Sequence, residues 1–322
     1  MLWRSLGAWL CVAATGLIMA GPTARAVAPS VRIAVLKFGT VNWLMETIRA
    51  NGLDRAEGIQ LDVVALAGKP ATTIAFRSGD ADILVTDWVW ALRQRSAGQD
   101  LRFAPYSTAL GALVGRPGMA DLCALKGADV GVVGGEFDKS WLVLQAVAQR
   151  DCGFDLAAET EALYGAPPLM SRQLTTGTVD AVSTFWPFVA RLEAQGMPAV
   201  LRIDAALERL GIAPAPALVG FVWDRARSDP DAIAAFLRAA QQASEILAED
   251  NAAWTAIRPL MRAKTEAEFL ALRDAYRAGI TAGWTEADTE SARALHALLG
   301  TRAGAAFTEK AGPFDAQLFS RD

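Results

Sequence analysis

The chain has 322 residues, with 31 Lys and Arg set against 35 Asp and Glu, one His and a formal net charge of −4. Its charges are interspersed and form no basic block, which excludes the electrostatic footprint of a protein that binds nucleic acid or an acidic membrane surface. After the first 26 residues no run reaches the ~18 continuous apolar residues of a membrane span.

Residues 1–26 read as a secretory leader. Arg4 gives a short positive n-region, Ser5 to Ala20 is apolar, Gly21-Pro22 breaks a helix, and Ala24-Arg25-Ala26 is a small-x-small cleavage site. The apolar part, about 16 residues, falls short of the ~20 that cross a bilayer. Cys11 follows Trp9-Leu10, and lipoprotein cleavage needs a small residue before the cysteine. The expected product is a periplasmic, monomeric chain of about 296 residues beginning near Val27, long enough for two ordinary domains.

Val31–Leu36 is an unbroken β-rich run, and Asn42–Arg49 follows with helical spacing until Asn51-Gly52 stops it. Ile59–Leu66 predicts a second strand, Ala71–Arg77 a helix ended by Ser78-Gly79, Ile83–Val85 a third strand, and Trp88–Gln94 another helix. Strands alternating with helices imply a parallel sheet with helices on its faces. The pattern then recurs 98 positions later: Trp43 with Trp141, Pro70 with Pro168, Gly79 with Gly177, Asp82 with Asp180, Trp88 with Trp186, Arg93 with Arg191. Two lobes of like topology follow from this repeat. Each Gly-x-x-Asp has a structural reading, the Gly as a left-handed helix cap and the Asp as an acceptor for turn amides.

Two apolar, Gly-containing segments, Ala109–Val114 and Ala217–Trp223, read as crossovers between the lobes. They would place residues 116–215 in lobe 2, and 27–115 with 216–322 in lobe 1. Helices predicted over Pro230–Ala248, Asn251–Met261, Glu266–Ala278 and Glu286–Leu299 would wrap lobe 1. Ala128–Val133 reads as a strand and Lys139–Arg150 as the helix returning from it. About 12 helical residues retrace about 18 Å, as far as the strand climbs, so Cys123 and Cys152 meet at one end of this unit. A disulfide is expected there; two buried thiols are the other outcome.

Several segments resemble the periplasmic binding proteins for nitrate, taurine and aliphatic sulfonates, a group that includes thiamine-precursor binders. They are Phe38-Gly-Thr40, Arg77-Ser-Gly-Asp-Ala-Asp82, Leu174-Thr-Thr-Gly-Thr-Val-Asp-Ala181, Asp231–Ala239 and the ending Phe314–Phe319. The resemblance implies an α/β fold of the periplasmic-binding-protein type II class: two lobes, each with a mainly parallel sheet flanked by helices, joined by two crossover segments. It also implies a small-molecule ligand in the cleft, and an ABC permease and ATPase as partners. Asn42-Trp43, Asp87-Trp88 and the Glu136–Ser140 loop depart from any pattern that assigns one substrate.

Ligands of α/β sheets bind beyond the carboxyl ends of strands, where helix N-termini present free N–H groups. That rule selects Phe38, Thr40, Asn42 and Trp43 after strand one. It also selects Lys69, Thr86, Asp87, Trp88, and Ser107 with its neighbour Tyr106. In lobe 2 it selects Glu136, Phe137, Asp138, Ser140, Phe185 and Trp186. The aromatics suit a flat or alkyl ligand, or a cation held by ring faces, and ordinary helix–sheet packing is the competing use. Thr40, Asn42, Ser107 and Ser140 suit an anionic head group. Asp87, Glu136 and Asp138 suit an amine or serve as helix caps, and both sets together suit a zwitterion. Lys69 and Lys139 either pair an anion or stand at the surface. No metal cluster, nucleophile elbow or phosphate loop is present, so neither a metal, a cofactor nor an enzymatic role is expected. A periplasmic sensor with the same clamp, or an enzyme of a related fold, are the rival readings.

Overall fold

The computed structural model describes residues 28–304, 307 and 311–319. The leader read over residues 1–26 lies outside them.

Ten strands form two five-stranded sheets. The first holds β1 (Ser30–Leu36), β2 (Gln60–Leu66), β3 (Ile83–Asp87), β4 (Leu101–Ser107) and β10 (Val219–Asp224), ordered β2-β1-β3-β10-β4. The second holds β5 (Ala112–Gly115), β6 (Asp129–Val133), β7 (Glu161–Gly165), β8 (Ala181–Thr184) and β9 (Ala199–Arg202), ordered β7-β6-β8-β5-β9. In each, three strands run parallel and the remaining pairings are antiparallel. An antiparallel neighbour of a reversed strand points the common way again, so four strands of each sheet share one direction and the sheets are mainly parallel, made mixed by β10 and β5. The reason is the exchange of strands: β5 and β10 each enter a sheet straight from the other half, without the helical return that a parallel neighbour needs.

The helices are α1 (Val41–Ala50), α2 (Leu53–Ala56), α3 (Lys69–Ser78), α4 (Trp88–Ser96), α5 (Lys139–Val147), α6 (Pro167–Thr175), α7 (Trp186–Glu193), α8 (Ile203–Arg209), α9 (Pro230–Glu249), α10 (Asn251–Met261), α11 (Glu266–Ala278) and α12 (Glu286–Ala303). The 98-residue offset holds for element starts: α1 and α5 begin at 41 and 139, α3 and α6 at 69 and 167, β3 and β8 at 83 and 181. Gly79 and Gly177 end equivalent helices at φ 82° and 75°, a region that costs any residue with a Cβ. Their Asp partners tie strands together. Asp82 accepts from the Arg32 backbone N–H at 2.8 Å and from its guanidinium, and Asp180 accepts from the Asp129 N–H at 3.0 Å and from Arg116. Each thereby fixes the start of one strand against its parallel neighbour.

β5, expected at the end of lobe 1, belongs to the second sheet, paired with β8 and β9. The chain changes lobe over residues 108–111. Gly111 and Gly220 sit where backbones approach closely. A Cβ at either would run into a carbonyl oxygen, of Thr184 and Ala104 respectively.

Asp229, Asp250, Thr265 and Thr285 cap α9 to α12 with their side chains, as turn-forming polar residues do before an apolar stripe. α9 packs on α1, but α11 packs on α7 and α12 on α5. The C-terminal helices thus bridge the two halves instead of wrapping only the first. Cys123 and Cys152 are disulfide-bonded, with Cα atoms 5.3 Å apart. Among the described residues no helix is long and apolar enough to cross a membrane.

Candidate functional site

The seam between the lobes forms at the carboxyl ends of β3, β6 and β8. Asp87 ends β3 and caps α4, accepting from the Trp90 N–H at 3.0 Å. Across the seam Asp138 caps α5, accepting from the Ser140 and Trp141 N–H groups at 3.0 and 3.3 Å. The Lys139 ammonium reaches over to Asp87 at 3.2 Å, with both side chains largely covered. Burial alone would raise Asp87, but Lys139, Lys69 and the Trp90 amide outweigh it and hold the carboxyl below its ordinary range. For Asp138 burial wins over Lys139 and the two capping amides, and its pKa is raised. Beside this group lies an open cavity of about 210 Å³, walled by Asp87, Trp90 and Arg93 from the first lobe and by Phe137 and Lys139 from the second, with Phe307 also on its lining.

An aromatic cluster fills the neighbouring part of the seam. Trp186, opening α7, meets Trp43 of α1 edge-on at 6.0 Å between centroids and Tyr276 of α11 at 6.1 Å. Tyr276 also contacts Trp43 and Tyr106, at 5.8 and 6.2 Å. The Tyr106 hydroxyl stands 3.5 Å from Thr40 Oγ1. Burial lifts the Tyr106 phenol to about 12 and raises Tyr276 well above its ordinary value, so both remain neutral O–H donors at physiological pH. Five residues beyond Trp186, Arg191 forms an ion pair with Glu268 of α11 and donates to the Met261 carbonyl at 2.7 Å. Glu268 is buried and also accepts from the Lys264 N–H at 2.9 Å. The lobes are thus held by two charge pairs and a ring cluster.

The residues selected from the sequence separate into groups. Thr40, Trp43, Lys69, Asp87, Phe137, Asp138 and Trp186 gather at the seam. Ser140 adjoins them, mostly buried, its N–H on Asp138. Thr86 is half-buried, while Glu136 and Phe185 are exposed on the rim. Phe38 and Asn42 line a different groove on the first lobe, and the Asn42 amide is spent on the Leu36 and Gly39 carbonyls at 2.7 and 2.8 Å.

Two further residues, Trp88 and Ser107, also stand away from the seam. Trp88 has no exposed surface and packs against His296, Phe314 and Phe319. Its side chain turns from the helix start into the core, where α12 and the chain end supply an apolar bed. Ser107 donates to the Gly279 carbonyl and accepts from the Ala109 N–H, both at 3.1 Å, and so serves the crossover. Tyr276, Arg191 and Glu268 were not selected from the sequence. The one signal pointing to them was the match of Arg191 with Arg93, since a cation retained in a repeat invites a search for its partner.

No protein-family model and no curated protein sequence matches the chain. Solved structures do. The periplasmic aliphatic sulphonate binding protein SsuA from Escherichia coli aligns at 15% identity and TM-score 0.70, over 90% of this chain and 92% of that one. The alkanesulfonate-binding protein SsuA from Xanthomonas axonopodis pv. citri, bound to MOPS, aligns at 18% identity and TM-score 0.63, over 85% and 93%. The desulfurization enzyme DSZB aligns at 17% identity and TM-score 0.57, over 85% and 92%. These likenesses establish the two-lobed type II binding-protein fold, and one fold here carries both binders and an enzyme.

Proposed function

We propose that this chain is an exported solute-binding protein, which captures a small organic molecule in the seam by lobe closure and presents it to an ABC permease and its ATPase. One observation carries the reading: the seam cavity lies at the carboxyl ends of strands from both lobes, with the Asp87–Lys139 pair spanning it. A ligand there touches both halves, so its binding energy differs between open and closed forms, which is the condition for closure.

The polar groups indicate what such a ligand carries. The N-termini of α4 and α5 already hold the Asp87 and Asp138 carboxylates, so an anionic head group gains its partner from Lys69 and Lys139 instead. A positive group finds Asp87 and the rings of Trp90 and Phe137, which line the same cavity. A zwitterion or an amine-bearing sulfonate or carboxylate uses both sets. An acid–base or nucleophilic role has less support. Cys123 and Cys152 are joined to each other, and His296, the single histidine of the sequence, is held among Trp88, Phe307 and Phe314.

The test is a thermal-shift screen of residues 27–322 against sulfonates, carboxylates, amines, amino acids and pyrimidines. A ligand at 100 times its Kd stabilises by about 2.7 kcal/mol, several degrees for a chain of this size. A shift confined to one class, and lost in Lys139→Ala, supports the reading. Absence of any shift from folded protein overturns it.

A further inference from the structure

We propose that the first lobe carries a second ligand site, a groove for a small organic anion that lies outside the seam. The groove, about 290 Å³, is larger than the seam cavity and is built from one lobe only, by the loop after β1, the outer face of α1 and the end of α10. Lys37, Arg49 and Arg262 stand around it. No carboxylate pairs with any of the three among the described residues, although most arginines elsewhere on the surface are paired. Glu46 is the one acidic group on the lining, so the groove keeps a net charge of two positive.

Two further features give the charge a shape. Phe38 is 67% exposed, an unusual cost for a large apolar ring, and two cations lie against it: the Arg262 guanidinium 3.9 Å from its centroid and the Lys37 ammonium at 5.7 Å. The floor is apolar, with Met45 buried and Leu260 half-open. The negative end of α10 would ordinarily weaken anion binding here. Arg191 removes that obstacle by taking the Met261 and Arg262 carbonyls from the other side. A carboxylate head among the three cations, with a short alkyl or aryl body between Phe38 and Leu260, satisfies every surface of the groove.

The probe is hexanoate, titrated calorimetrically into the full mature chain, with hexylamine as the charge control. Hexanoate is expected to bind and hexylamine not to compete with it. Arg49→Ala/Arg262→Ala weakens hexanoate at least tenfold, and Arg49→Gln, on an exposed helix end, weakens it several-fold should the double variant fail to fold. Trp186→Ala leaves it unchanged, because that ring belongs to the seam. Hexanoate that binds equally well to the Arg variants, or that is lost in Trp186→Ala, overturns the groove while leaving the seam reading intact. Absence of hexanoate binding at millimolar concentration overturns it as well.

Discussion

Arg191 offers the sharpest test of lobe closure, because its partners all lie on the opposite lobe. Replacing it with Ala strands Glu268, whose carboxylate is buried and keeps only the Lys264 N–H. Removing one member of a buried pair costs about 3–5 kcal/mol. Here the Arg191 side chain is 24% exposed, and Glu268 retains one bond, so about 2 kcal/mol is a fair discount. Under the proposed closure, the open form exposes the same carboxylate to water and the penalty disappears. The closed-to-open ratio is therefore expected to fall about 30-fold, at 1.4 kcal/mol per factor of ten. Single-molecule energy transfer between dyes on the two lobes reads that ratio directly, and small-angle scattering gives the matching rise in radius of gyration. Arg191→Ala/Glu268→Gln is expected to recover part of the loss, since the stranded charge is gone. A closed fraction unchanged by Arg191→Ala, or a double variant whose losses simply add, refutes the assignment of this pair to the closed state.

Trp88→Ala should lower unfolding free energy by about 3–5 kcal/mol in urea titration, as for a fully buried aromatic, while Trp186→Ala costs less stability and weakens seam ligands instead. Equal stability losses would place the two rings in like surroundings, against their observed burial. Cys123→Ser/Cys152→Ser opens a loop with ends 29 residues apart and should cost about 3–4 kcal/mol, read from the urea midpoint; thiol alkylation of the unreduced native chain should label neither residue. Acid stability follows from Asp100, held at about 2 by Arg225 and Arg102 against the usual 3.8. With the folded pKa depressed, its contribution is complete above the ordinary value and disappears as pH falls toward 2, so Asp100→Asn should flatten the pH dependence of the urea midpoint in that window.

Much of this architecture could be read before any coordinates, because a repeat constrains topology more tightly than local pattern does. The matched Gly, Asp and Trp positions required two sheets of one design, and the sheet orders agree strand for strand. The two crossovers were legible as apolar, Gly-containing segments; hidden was the sheet that each strand joins, since a short apolar run such as Ala112–Gly115 fits either sheet until its partners are known. The candidate site was legible by position and not by direction. A Trp that opens a helix after a strand has two destinations, the cleft or the core. Trp186 turns to the seam and Trp88 to the core, and the choice depends on α12 and Phe319, more than two hundred residues away in sequence. Asp87 and Asp138 were ambiguous between cap and ligand contact. They are caps, and as caps they also set the charge of the seam.

The two helix contacts between lobes differ in kind, and under the proposed closure the difference assigns one of them to the pivot. Against α5, helix α12 contributes Leu295 and Leu299, which share one buried apolar cluster with Trp141, Leu144 and Val147. Exposing each such leucine costs about 1.5–3 kcal/mol with nothing in water to offset it. Against α7, helix α11 contributes Glu268 to the ion pair with Arg191 and the buried Tyr276 ring to the half-covered Trp186, and charged groups recover much of their loss on meeting water. Under the proposed function, opening therefore separates α7 from α11 and pivots on α5 and α12. The Asp87–Lys139 pair stands at the start of α5, close to that pivot, where a small rotation moves it least. Arg191 stands on the side that opens. Under that proposal a perturbation at Arg191 acts with the longer lever, so Arg191 rather than Lys139 is expected to report closure, and Lys139 to report the ligand.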